Sequence, residues 1–357
     1  MLVYMLFFFF VVGAALVARK LPDYQSSILL GVIFFVLLLF AGLRGLVGSD
    51  TISYLSAYKN ISDKDYFLYS VGRMEPLFVI FMWLHKNVFD SGLAYIFTMS
   101  LIQVVLLWKV CKYSSDKCLF LVAYVLIFYL NFHFNIARAA IASMLLLYSL
   151  CSRSRAASVL AAILAPGFHV SVLLFYPLFF SRLSLKVFSL FLLFCFFALV
   201  VFYEDFYEFS LKFRYYIDYL QGAVGFSLYG FLISINVLGS VLFLPRVGRL
   251  FLFSAFYLIV AVVAYSFYPI AYRFITIALL VYLFFLLETL SRLRYSWGYM
   301  FFWLPVILSF GILVYGISEE RIILERRIAS GEPLENALES TYLPYEFYWL
   351  DSGIDSL

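Results

Sequence analysis

Residues 27–46 read SILLGVIFFVLLLFAGLRGL, apolar almost throughout until Arg44. A run of about 20 such residues is what a helix needs to cross the hydrocarbon core of a bilayer. In lipid its backbone groups must bond to one another, and a helix satisfies them all within one segment. Further apolar segments lie near 2–18, 93–110, 118–133, 136–151, 185–203, 226–244, 249–268, 271–289 and 296–316. A shorter pair, 156–166 and 169–180, is interrupted by Pro166 and Gly167, and broken helices of this kind often face a cavity. The segment 75–89 is short and polar at its ends, so it is read as interfacial or re-entrant.

Composition points the same way. Of the 357 residues, 65% are hydrophobic and 13% charged, against about 45–50% and about 25% in an ordinary soluble domain. One water-soluble core cannot absorb that much apolar surface at this length. The expected fold is therefore all-α: a polytopic integral membrane protein of about 12 transmembrane helices (10–12), with a broken helical hairpin and an interfacial segment. A membrane domain is expected over 1–316, followed by an extracytoplasmic amphipathic or flexible tail over 317–357. The first apolar run is followed, not preceded, by Arg19 and Lys20, which reads as a retained helix instead of a secretion signal. Cys111, Cys118, Cys151 and Cys195 lack the spacing of a metal knuckle or a disulfide framework and read as packing residues.

Orientation follows from the basic residues in alternate loops: Arg19 and Lys20; Lys109, Lys112 and Lys117; Arg153 and Arg155; Arg182 and Lys186; Arg246 and Arg249; Arg292 and Arg294. The positive-inside rule makes that side cytoplasmic. The loops 47–92 and 204–225 and the tail then face outward, and so do both termini.

An ionisable group near membrane depth is costly and raises a functional hypothesis. Arg44, Gly48, Asp50 and Tyr54 stand in AGLRGLVGSDTISY (41–54), where the glycines suggest a compact turn carrying both charges at the outer rim. Arg73, Glu75 and Pro76 follow. Next come Asn131, His133, Asn135 and Arg138, with Arg138 just inside a helix start, awkward for a cation without an anionic partner. His169 and Ser171 stand in the broken hairpin, Tyr272 and Arg273 at a late outer turn. Several guanidinium groups on one face suit a phosphate or carboxylate, to which each gives two parallel bonds. Each residue also has an ordinary explanation. Arginines snorkel at helix ends, a lone histidine at a kink is commonly a structural donor, and Glu75 before Pro76 fits a helix start whose dipole favours an acid.

Arg44, Gly48, Asp50 and Tyr54, then Glu75-Pro76, Arg138 with Ala142, His169-x-Ser171 and Tyr272-Arg273 together resemble the EpsG family of Wzy-type polysaccharide polymerases over roughly residues 1 to 316. One departure is Ala139, where the family pattern leads one to expect glutamine after the arginine. The resemblance implies a bacterial inner-membrane glycosyltransferase acting on its periplasmic face. It would join oligosaccharide repeat units carried on a polyprenyl diphosphate, as in O-antigen, capsule or exopolysaccharide synthesis. Its partners would be the lipid-linked oligosaccharide, membrane lipids, a chain-length regulator and a flippase, with no nucleic acid and no cofactor or metal.

On this reading His169, Asp50 and Glu75 are alternative bases for the acceptor hydroxyl. Arg138 and Arg273, with Arg44 third, are expected to stabilise the departing diphosphate, and Tyr54, Ser171 and Tyr272 join them in substrate binding. A glycine-rich nucleotide cradle is absent, and Asp63-Lys64-Asp65 reads as a solvated loop. A transporter or flippase of lipid-linked oligosaccharide, a membrane O-acyltransferase and a glycan ligase remain as alternatives.

Overall fold

The computed structural model describes residues 2–45, 47–48, 50–71, 74–180, 228–245, 247–267, 272–293 and 296–329; the side chains of 71, 266–267, 272–273 and 319–329 are outside that description. The expected helix at 185–203, the loop 204–225, Cys195, Arg73, Arg182, Lys186, Arg246, Arg294 and the tail beyond 329 lie outside the described residues. Every regular element among the described residues is helical, and four helices are long and apolar enough to cross a membrane. These are α2 (Asp23–Gly42), α6 (Gly92–Cys111), α13 (Tyr272–Leu293) and α14 (Tyr299–Ala329). Shorter apolar helices match the other expected segments that fall on described residues, so the described helices support a membrane all-α protein without reaching about 12 full-length spans.

The helices fall into two units, Met1–Val172 with Val306–Leu357 and Leu173–Pro305. In the first, α1 (Leu2–Ala18) buries Tyr4, Phe7, Phe8, Val11 and Ala15, the spacing of one helical face. Phe9 on its other face is 82% exposed. Such bare apolar surface belongs against lipid. The buried face is locked by aromatic contacts: Phe7 stacks on Phe40 of α2 at 3.9 Å and on Tyr129 at 5.2 Å. Outward of this layer α2 packs on α6, α6 on α8 (Ala137–Cys151), and α8 on α9 (Arg155–Phe168). In the second unit α10 (Tyr176–Phe180), α11 (Leu228–Phe243) and α13 all pack on α12 (Arg249–Phe267). There the Tyr282 hydroxyl donates to Ser240 Oγ at 2.9 Å.

Several boundaries differ from the sequence reading. Segment 47–92 is not one loop: it holds α3 (Thr51–Asn60), α4 (Lys64–Val71) and α5 (Pro76–Phe89). Asp63 accepts from the Tyr66 amide at 2.8 Å, so the Asp63–Asp65 stretch starts a helix. Residues 118–133 are not one α-helix either. After α7 (Lys117–Tyr124) the chain widens into π-helical turns at Val125–Tyr129 and Asn131–Asn135, closed by the Ile136 amide reaching back to the Asn131 carbonyl at 3.0 Å. Such turns recur at functional sites.

The second helix ends at Gly42, short of Arg44, and the turn that follows is fitted to the π segment. Gly48 has φ +113°, and a Cβ there would fall on the Phe134 carbonyl oxygen and 2.8 Å from Thr51 Oγ1. Gly48→Ala is therefore expected to cost at least about 1–3 kcal/mol of stability, read as a lowered unfolding midpoint of the purified protein in detergent. An unchanged midpoint would contradict this fit of the turn.

Candidate functional site

The site is built where the start of α5, the first turn of α8 and the end of α9 converge in the first unit. Proline at the first position of α5 leaves Glu75 as its N-cap, with extended backbone at φ −64°, ψ 135°. An acid there ordinarily bonds its own helix, yet the Glu75 side chain makes no capping bond. It reaches across the fold: Oε2 accepts from Arg138 Nη1 at 2.7 Å, and Oε1 lies 2.5 Å from His169 Nδ1. The Val170 amide also donates to Oε1, at 3.3 Å. The reading of Glu75 as a mere helix start is thereby displaced.

Each partner is held by its own local structure. Arg138 sits one residue into α8, where the positive end of the helix repels a cation, and Glu75 supplies the compensating charge. Gln103 steadies this helix start, donating to the Ala137 carbonyl at 3.1 Å. His169 follows α9 at the point where the helix changes to a 3-10 turn, Val170–Phe175, in extended backbone at φ −162°, ψ 122°. The break thus falls at His169 itself, just past Pro166 and Gly167. Gly167 lets α9 approach α5 closely, because a Cβ there would strike the Leu77 side chain.

The cluster extends towards Asp50. Tyr54 donates to Asp50 Oδ2 at 3.1 Å, and the Arg138 guanidinium lies over the rings of Tyr54 and Phe78, at 5.7 and 5.3 Å from their centres. The three linked groups are largely shielded, with side chains 12% (Glu75), 12% (His169) and 22% (Arg138) exposed. Ser171 Oγ and Arg138 Nε are buried beside them, with no hydrogen-bond partner among the described residues.

The family model of EpsG matches residues 27–324, a span that contains every member of this cluster. The chain belongs to the EpsG family. No curated protein and no solved structure matches it.

In this EpsG-family protein the electrostatics of the cluster fix its proton positions. Burial pushes the Glu75 carboxyl up, but the hydrogen bond from His169 and the charges of Arg138 and His169 outweigh it and hold the group at about 2. Glu75 is therefore ionised at neutral pH and can only accept hydrogen bonds. His169 Nδ1 must then be the N–H donor in this contact, and Nε2 is the ring nitrogen that Glu75 does not engage. That nitrogen has no partner among the described residues. Burial raises the Tyr54 phenol to about 12, with Arg138 opposing and Asp50 reinforcing the shift, so its hydroxyl stays a neutral donor to Asp50.

Of the residues singled out in the sequence, the fold unites Asp50, Tyr54, Glu75, Arg138 and His169 in one chain of contacts, with Ser171 two residues beyond His169. Arg44 does not stand at an exposed rim as expected: it is 3% exposed, lies over Phe134 at 4.9 Å and donates from Nη1 to the Ala41 carbonyl at 3.1 Å. The apolar π segment covers it. Tyr272 and Arg273 open α13 in the second unit, and their side chains lie outside the described part. Sequence reading missed Phe78, which floors Arg138, and Gln103, which braces α8; a glutamine within the apolar run 93–110 was the signal available for the latter.

Proposed function

We propose that this EpsG-family protein is a membrane polysaccharide polymerase, a glycosyltransferase that joins polyprenyl-diphosphate-linked oligosaccharide repeat units on the periplasmic face of the bacterial inner membrane. The shorter apolar helices apart from α5, with the expected segment at 185–203, join the four long ones in the bilayer, giving about 12 segments at membrane depth. The observation that carries the reading is the Glu75–His169 pair, 2.5 Å apart and adjoined by Arg138, inside a chain of this family.

The chemistry follows from the cluster. In its unprotonated form His169 accepts the proton of an acceptor sugar hydroxyl at Nε2 while that oxygen bonds to the anomeric carbon of the growing chain. The bond from the anomeric carbon to the lipid diphosphate breaks, and its electron pair leaves with the diphosphate. Glu75 orients the ring and stabilises the imidazolium that forms, the role a carboxylate plays behind a catalytic histidine. The sequence reading left Asp50, Glu75 and His169 as rival bases; this assignment makes His169 the base and Glu75 its positioning residue. Asp50 and Tyr54 hold the far side of Arg138. Arg138 Nε and Ser171 Oγ are the donors left for substrate oxygens. The leaving diphosphate needs more positive charge than one arginine already paired with Glu75 provides.

The test is the length distribution of surface polysaccharide in the native host after deletion and complementation of the gene. The multi-repeat ladder is expected to vanish on deletion while single-repeat product persists, since flipping and ligation still operate. Loss of every repeat would point instead to a flippase or ligase, and an intact ladder with altered acetylation to an acyltransferase.

A further inference from the structure

On the rim whose lysines mark it as the expected cytoplasmic side, α2, α6 and α7 line a cleft of about 550 Å³ that includes no member of the Glu75 cluster. This is within the range of about 300–1,000 Å³ common for ligand pockets. Its walls are the apolar faces of Leu30, Phe34, Val104 and Leu121, and its mouth carries Trp108, Lys112 and Lys117. Trp108 is 43% exposed although it lines a cavity, and the Lys112 ammonium sits 3.4 Å from its ring centre. Tryptophan at this depth is characteristic of the headgroup level.

The charge at the mouth is uncompensated. Asp116, the neighbouring acid, is bound to Arg19 at 2.8 Å and caps α7 through the Leu119 amide at 3.0 Å. Asp23, the other acid of this rim, is not among the lining residues. Lys112 and Lys117 therefore face the cleft as net positive charge above an apolar slot open to the bilayer. An apolar slot suits an acyl chain, and two ammonium groups at its mouth suit a phosphate that bears a net negative charge. A basic pocket between transmembrane helices on the cytoplasmic side is how membrane proteins hold anionic lipid headgroups.

We infer that this cleft is a binding site for an anionic glycerophospholipid of the cytoplasmic leaflet, its headgroup on Lys112 and Lys117 and one acyl chain between α2 and α6. The site is independent of the polymerase reading and shares no residue with the Glu75 cluster.

The test uses the full purified chain in phosphatidylcholine vesicles containing either dibrominated phosphatidylglycerol or dibrominated phosphatidylcholine at equal mole fraction. The signal is the part of the tryptophan fluorescence that the Trp108→Phe variant lacks. Two lysines should favour the anionic headgroup on the order of tenfold, so the brominated phosphatidylglycerol quenches this signal at a much lower mole fraction. Lys112→Ala with Lys117→Ala should abolish the preference, and arginine at both positions should restore it. Equal quenching by both lipids in the wild-type protein would overturn the proposal, as would no quenching by either, which would mean that another segment or a second copy closes the cleft. Full preference in the double alanine variant would overturn it too.

Discussion

His169→Ala removes the multi-repeat ladder from cells that accumulate the variant at wild-type level in the membrane. General-base catalysis by a positioned side chain is worth about 10²–10⁴-fold, and a drop of that size takes a processive polymer down to single repeats. The expectation rests on the contact of Glu75 Oε1 with Nδ1 and on the lowered Glu75 carboxyl, which together leave Nε2 as the nitrogen for a substrate proton. His169→Gln is the sharper variant, because its amide can still donate to Glu75 and preserve the packing while offering no imidazole lone pair. A wild-type ladder with both variants would end the assignment of His169 as base.

Glu75→Gln is expected to act on stability and activity together, with a pH signature that a packing role would not give. The substitution strips the counterion from Arg138, a mostly buried cation at a helix start, and breaking a buried pair from one side costs about 3–5 kcal/mol. The partial exposure of Arg138 places the expected loss near the lower end. The linkage argument gives a similar size. Lowering the carboxyl from 4.5 to about 2 in the folded state is worth about 3 kcal/mol at neutral pH.

Because the folded-state value lies below the unfolded one, this stabilisation is complete above about pH 4.5 and is lost as pH falls through about 2. Wild-type protein should therefore show a falling unfolding midpoint across that acidic window, and Glu75→Gln a flatter one that starts lower at neutral pH. Polymer formation should fall by up to about 10⁴-fold through loss of imidazole orientation, the size of effect when the carboxylate behind a catalytic histidine becomes an amide. Identical pH profiles for the two proteins would show that Glu75 is not the ionised hub of the cluster.

Much of the bundle was legible because a membrane helix announces itself locally: the segments at 2–18, 93–110 and 136–151 correspond closely to α1, α6 and α8. The short helices α3 and α4 gave no such signal, since two to three turns of largely polar helix have no apolar stripe long enough to stand out from a loop. The π-helical turns were hidden for a related reason: one extra residue per turn barely alters the pattern in an all-apolar stretch such as Val125–Tyr129.

At the site, the need of Arg138 for an anion followed from its place at a helix start, but the identity of that anion did not. Glu75 is 63 residues from Arg138 and 94 from His169. Nothing in local sequence distinguishes a glutamate that caps its own helix from one that turns away to join two others. Arg44 shows the converse. A helix-end arginine reads as a rim cation, and only the packing of Phe134 over it reveals burial.

The most direct measurement is chain growth by the purified protein in vesicles supplied with lipid-linked single repeat units, with glycan length and released polyprenyl diphosphate followed together. Wild-type protein should release one lipid diphosphate for each repeat added, and His169→Gln should lose both signals together. Wild-type protein that neither lengthens the glycan nor releases the diphosphate, or a His169→Gln variant that does both at the wild-type rate, would contradict the account.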